Sequence, residues 1–188
     1  MRLVAIGGSD AGITAALRAR ELDQDAEVIV VLADAYPNFS ICGIPYYVSG
    51  EVEHWRNLAH RSIADLEATD MRLRLDTVAL RIDADGHRVL LTGRDGGAEW
   101  LAYDALIVGT GAVPMRPPIV GLDDLGAAAG VHLLHSMGDT FSLMRTLEQP
   151  HVKRAVIVGA GYVGLAGDSG WRRSPGYRPG HPDGSRSA

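Results

Sequence analysis

Arg2-Leu3-Val4-Ala5-Ile6-Gly7-Gly8-Ser9-Asp10-Ala11-Gly12 decides the fold of this chain. An apolar run of strand-forming residues enters a glycine turn, and Ile13 to Leu22 then carries apolar residues at helical spacing. A second apolar run, Glu27 to Leu32, reads as another buried strand. Strand, turn, helix and strand in this order predict a parallel pair joined by a right-handed crossover. Such a turn gathers backbone N–H groups and the positive end of a helix at one spot, which suits a pyrophosphate, and glycine is needed where backbone approaches phosphate closely.

Further along, the alternation in Arg72-Leu73-Arg74-Leu75 and turn signals at Asp83-Ala84-Asp85-Gly86 and at Gly93 to Gly97 predict an antiparallel meander over residues 71 to 107. Leu106-Ile107-Val108 then reads as a strand ending in Gly109-Thr110-Gly111, and Pro114 to Pro118 leads the chain away from the sheet. Asp139 is the candidate cap of a helix whose Phe141, Met144 and Leu147 recur at helical spacing before Pro150. Ala155 to Val158 reads as one more buried strand, and it enters Gly159-Ala160-Gly161-Tyr162-Val163-Gly164. The chain thus holds two glycine patterns, Gly7-x-Ser9-x-x-Gly12 and Gly159-x-Gly161-x-x-Gly164, each after an apolar run, and the pair reads as two dinucleotide sites. The fold class expected is α/β: a parallel sheet with an inserted antiparallel β-meander and an incomplete second unit of the same kind. Residues 167 to 188 contain no Val, Ile, Leu, Met or Phe, so that tail is expected to be disordered, and a truncation or a shifted reading frame is favoured over a natural flexible terminus.

Composition narrows the partners. The 188 residues carry a net charge of −5 and are 46% hydrophobic, so there is no basic field to recruit nucleic acid or an anionic membrane. Val28 to Ala33 is far shorter than the roughly 20 residues that span a bilayer, and the first strand runs straight into a glycine turn rather than a cleavage site, which points to the cytoplasm. Cys42 has no second cysteine to pair with, so it is either a buried small hydrophobe or a reactive thiol. Asp34, at the tip of the second strand, is the candidate for holding an adenosine ribose, or else a turn residue facing water. His132 and His135 would point to opposite faces of a strand, so no metal site is expected. Arg18 and Arg20 read as a solvated helix face.

Asn38-Phe39-Ser40-Ile41-Cys42-Gly43-Ile44-Pro45-Tyr46-Tyr47, together with Gly109-Thr110-Gly111-Ala112-x-Pro114-x-x-Pro117, resembles the pyridine nucleotide-disulfide oxidoreductases. The likeness is greatest to their single-cysteine branch of coenzyme A-disulfide reductases and NADH oxidases, and it covers residues 1 to about 166 in order. It implies Rossmann-like binding of FAD and NAD(P)H, with residues 1–120 as FAD-binding domain and 121–166 as a connector and the start of an NAD(P)H-binding domain. Cys42 takes the place of the redox cysteine. Gly7, Gly8, Ser9, Asp10, Ala11, Gly12, Asp34, Gly109, Thr110 and Gly111 fall to FAD, and Gly159, Gly161 and Gly164 to NAD(P)H. Implied partners are a small disulfide of the coenzyme A type or an oxygen species, in a whole protein that forms homodimers through a domain lying beyond the matched region.

The chain departs from the family pattern in places. Ser9 stands at the middle glycine, Leu32 in the register of the ribose-binding glutamate, and Ile41 where disulfide-reducing members have asparagine. A single cysteine oxidises to a mixed disulfide with a small thiol or to a sulfenic acid, so disulfide reduction and oxidase or peroxidase chemistry both stay open. The other reading is a non-catalytic fragment that binds a nucleotide or a partner. With much of the family's length beyond the match, the chain alone is expected to be a poor catalyst.

Overall fold

The computed structural model describes residues 1–152, 154–159, 161, 163 and 164. In chain order its elements are β1 (Arg2–Ile6), α1 (Asp10–Leu22), β2 (Glu27–Val31), α2 (Ile44–Val48), α3 (Ile63–Glu67), β3 (Met71–Arg74), β4 (Val78–Asp83), β5 (Arg88–Thr92), β6 (Ala98–Ala102), β7 (Ala105–Val108) and α4 (Met137–Leu147). They fall into two units, one of Met1–Ser40 with Leu58–Val113, the other of Ile41–Asn57 with the chain from Pro114 onward.

The first unit is built on a four-stranded sheet in the order β3-β2-β1-β7. All its pairs are parallel, with Leu3 opposite Val28 on one side and Ala105 on the other. The central strands are covered on both faces, which is why their sequences are apolar without alternation. On one face Leu3, Ala5, Val28, Val30 and Leu32 pack with Ile13 and Ala16 of α1 and Leu66 of α3. On the other, Val4, Ile6, Ile29 and Val31 pack with Val89 and Leu91 of β5. The antiparallel sheet β4-β5-β6 is therefore the cover of the second face, and the α/β architecture with an inserted meander is as the sequence indicates.

Boundaries differ in informative ways. The meander spans Val78 to Ala102, while Met71–Arg74 is a parallel edge strand with Leu73 opposite Val30. Alternation reports one buried face, not strand direction. Here Met71 and Leu73 join the core, while Arg72 and Arg74 pair with Glu27 and Glu99. Helix α1 starts at Asp10 rather than Ile13, because Ser9 is its N-cap and the Ile13 N–H already donates to the Ser9 carbonyl at 3.1 Å. Reading from the first large apolar side chain misses that first turn. Arg20 is not a solvated charge. It donates to the carbonyls of Thr69 and Ala26 at 3.0 and 2.8 Å and pairs with Asp70, closing the end of α1, whereas Arg18 pairs with Glu21 on the surface.

In the second unit the cap of α4 is Ser136, not Asp139. The Ser136 hydroxyl accepts from the Asp139 N–H, and the Asp139 carboxylate accepts from the Ser136 N–H, a reciprocal capping box that places the aspartate three residues into the motif. Phe141 of α4 meets Trp55 edge-on, with ring centroids 5.4 Å apart. His132 and His135 are not on a strand. The His132 Nε2 lies 3.0 Å from the Thr146 hydroxyl, and burial pushes the pKa of the His132 ring down against the opposing pull of Asp139. Residues 155–158 form no strand either. Among the described residues no neighbouring strand pairs with them, and Val156 and Val158 are exposed. The disorder expected for residues 167 to 188 falls outside the described residues. No helix among the described residues is long and apolar enough to cross a membrane.

Candidate functional site

The glycine turn after β1 is held by backbone packed against backbone. Gly7 has φ +112°, and a Cβ there would lie 2.0 Å from the Gly109 carbonyl oxygen. A Cβ on Gly12 would lie 1.9 Å from the Gly7 carbonyl oxygen. No side chain fits at either place, so the end of β7 can approach the start of α1 only because both are glycine. The Gly7 N–H donates to Val31 and the Gly109 N–H to Ile6, both at 2.8 Å, which fixes the turn to the strands on either side. Gly8 answers to a side chain instead: its Cβ would overlap the Leu32 Cδ2 at 1.7 Å. Leu32 is buried in the core against this glycine, so it takes no part in polar recognition.

Two segments far apart in sequence are thereby joined. Residues 7–12 and Gly109-Thr110 meet, with the Thr110 nitrogen 3.2 Å from where a Gly7 Cβ would be. Gly111, at φ +67°, is exposed, and a Cβ there would meet open space. The first-turn N–H groups of α1 have no carbonyl four residues back, and the Ser9 side chain does not cap them. A close-approaching backbone with unfilled donors at a helix's positive end fits a pyrophosphate.

Asp34 sits beyond the end of β2, exposed, with its carboxylate accepting the Tyr36 N–H at 2.9 Å. Crowding of the carboxyl by protein raises its pKa above the ordinary value. The Tyr36 hydrogen bond opposes that rise and the charge of Asp76 adds to it. Nothing in the described contacts brings the Asp34 carboxylate to the glycine turn. A residue not singled out by the glycine motif is attached to it: Asn38 donates from its backbone to the Gly8 carbonyl at 2.6 Å and from its side chain to Asp10 at 3.1 Å. The available signal was Pro37-Asn38, a turn dipeptide whose asparagine tolerates left-handed backbone.

Cys42 belongs to the second unit. It is exposed, in the short 3-10 turn Ile41–Gly43 that leads into α2, and Pro45 occupies the first turn of that helix as its fixed φ favours. The later glycines repeat the geometry of the first turn. Gly159 has φ +117°, and a Cβ on Gly164 would lie 2.0 Å from the Gly159 carbonyl oxygen; Gly161 is exposed with open space around it. Among the described residues no cluster of His, Cys, Asp or Glu could hold a metal.

Comparison with known proteins gives these features a context. The model of the pyridine nucleotide-disulphide oxidoreductase family matches residues 1–167. An NADH oxidase of Methanocaldococcus jannaschii is 28% identical over 88% of this chain and 36% of its own length. An NAD(P)H coenzyme A polysulfide/persulfide reductase of Pyrococcus horikoshii is 29% identical over 87% of this chain and 35% of its own. The solved NAD-dependent persulfide reductase of A. fulgidus superposes with a TM-score of 0.84 at 36% identity, covering 92% of this chain and 32% of that one. The chain thus spans about a third of the length of the relatives it matches. A parallel sheet closed by a meander and a glycine cradle at its strand ends, matched along nearly the whole described chain, places this chain in the pyridine nucleotide-disulphide oxidoreductase family.

Proposed function

We propose that this chain supplies the FAD-binding part and the redox thiol of an NAD(P)H oxidoreductase of the single-cysteine branch, acting on a disulfide, a persulfide or an oxygen species. The observation that carries the reading is the Gly7–Gly12–Gly109 cradle, whose carbonyls and amides lie where any Cβ would collide. In this reading the N–H groups of Gly8 to Gly12 take the pyrophosphate, Thr110 and Gly111 lie along the cofactor, and Asp34 accepts from ribose hydroxyls. FAD would supply two-electron transfer between a nicotinamide hydride and sulfur.

The chain's own chemistry is that of Cys42. As a thiolate it attacks one sulfur of a disulfide, whose S–S bond breaks and releases the other half as a thiolate, leaving Cys42 in a mixed disulfide; with a peroxide the O–O bond breaks, hydroxide leaves and Cys42 becomes a sulfenic acid. Its exposure in the 3-10 turn gives a small thiol access. The repeated turn at Gly159, Gly161 and Gly164 is proposed for NAD(P)H, with residues 1–120 as the FAD-binding domain and 121–166 as the connector and the start of the NAD(P)H-binding domain. The lone cysteine fits a reducing compartment, so the cytoplasm is the proposed location. The whole protein is proposed to act as a homodimer.

The test is absorbance after incubation with FAD and desalting, followed by NADH consumption with disulfide, polysulfide or oxygen as acceptor in the corresponding whole protein. A flavin spectrum near one equivalent and loss of sulfur-acceptor turnover in Cys42→Ser are expected. Colourless protein that retains no FAD would refute the binding reading, and unchanged turnover in the serine variant would remove Cys42 from the chemistry.

A further inference from the structure

We propose that Asn38 is a positioning residue that holds the Asp10 carboxylate off the first-turn N–H groups of α1 and so keeps them open to an anionic ligand. The inference rests on the reading that this turn binds the FAD pyrophosphate, and it adds the element that protects the site from its own acidic residue. Asp10 opens α1, where a carboxylate is attracted to the helix's positive end and competes with any phosphate for the same donors. Its Oδ1 instead accepts from the Asn38 Nδ2 at 3.1 Å, with the His60 Nε2 next at 3.9 Å. The same asparagine donates its backbone N–H to the Gly8 carbonyl at 2.6 Å and accepts at its own carbonyl from the His60 N–H at 2.9 Å. One residue therefore grips the turn on both sides of Ser9.

The grip is held against local cost. Asn38 has φ 56°, in the left-handed region where a side chain other than glycine is disfavoured, and it is 2% exposed. Its Oδ1 is buried and has no hydrogen-bond partner among the described residues. A left-handed backbone and an unmet buried acceptor in one residue persist where surrounding structure over-determines them, and such residues cluster at functional sites. The segments around Phe39 and Ala59 supply that support through the isolated antiparallel Phe39–Ala59 bridge and the Ser40 N–H to Leu58 carbonyl bond at 2.9 Å.

The test is a four-chain cycle of wild type, Asn38→Gly, Asp10→Asn and the double variant, each titrated with FAD by flavin fluorescence. Glycine keeps the left-handed backbone and its two hydrogen bonds; the variant loses the amide tether together with the packing of a buried side chain, and the double variant separates the two because only the tether's loss is relieved by removing the Asp10 charge. Asn38→Gly is expected to weaken FAD binding about tenfold, the scale of one hydrogen bond to a charged group. Asp10→Asn alone is expected to bind at least as tightly as wild type, and the double variant to recover most of the loss, because the competing charge is gone. Full affinity in Asn38→Gly, or no recovery in the double variant, would overturn the proposal. If wild type takes up no FAD, the cofactor reading fails by itself. The same four chains are then titrated with inorganic pyrophosphate while the amide NMR signals of residues 8–13 are followed. Perturbation of those amides that weakens in Asn38→Gly and returns in the double variant supports the tether, and any other pattern, including no perturbation in any chain, overturns it.

Discussion

A single methyl group at residue 12 has nowhere to go. The Cβ of Gly12→Ala would meet the rigid Gly7 carbonyl at 1.9 Å, and relief requires α1 to move off the end of β1. The expected loss is about 3 kcal/mol, at the upper end for overpacking, read as a drop in the urea midpoint and accompanied by loss of FAD retention. Asp34 gives a prediction of the other sign. Its folded-state pKa is raised, so the folded chain keeps the proton to higher pH than the unfolded one does. That share of stability is present below the ordinary value of 3.8 and is lost as pH rises through the folded value. Asp34→Asn does not ionise, so its urea midpoint is expected to gain on wild type between pH 3.5 and pH 7. At this scale the glycines were legible because only glycine meets their demand. Asn38 and Arg20 were not, because their roles depend on carbonyls of residues 8, 26 and 69 that no local pattern announces.

Among elements, β5 joins the two sheets of the first unit. Val89 and Leu91 are buried against Val4, Ile6, Ile29 and Val31, so the meander is held chiefly by apolar contact through its middle strand. Leu91→Ala is expected to cost about 3 kcal/mol, within the range for a buried leucine, and to speed hydrogen exchange in β4 and β6 as well as β5. The uninterrupted apolar runs of β1 and β2 showed in sequence that they would be covered on both faces. The direction of β3 did not, because the alternation of Arg72-Leu73-Arg74-Leu75 is equally that of an edge strand in a parallel sheet. The start of α4 was misread for a related reason: serine and aspartate share the capping box, and either could be taken for the cap.

For the whole molecule, a turn alone does not make a nucleotide domain. Residues 159 and 164 reproduce the contact of residues 7 and 12, yet among the described residues 155–158 pair with no strand. A nicotinamide must be held roughly 3 to 3.5 Å from the group it reduces, and a turn without a sheet does not hold it there. With FAD added, the 188-residue chain is therefore expected to consume NADH very slowly, which a stopped assay over hours can read. The strand order β3-β2-β1-β7 also has a consequence for birth on the ribosome. Strand β1 sits in the middle of its sheet, with one edge covered by β2 and the other by β7, whose last residue is Val108. At roughly 5–20 residues per second of synthesis, the apolar edge of β1 waits several seconds for the strand that covers it. During that interval the nascent chain offers Leu3 to Ile6 to any extended segment nearby.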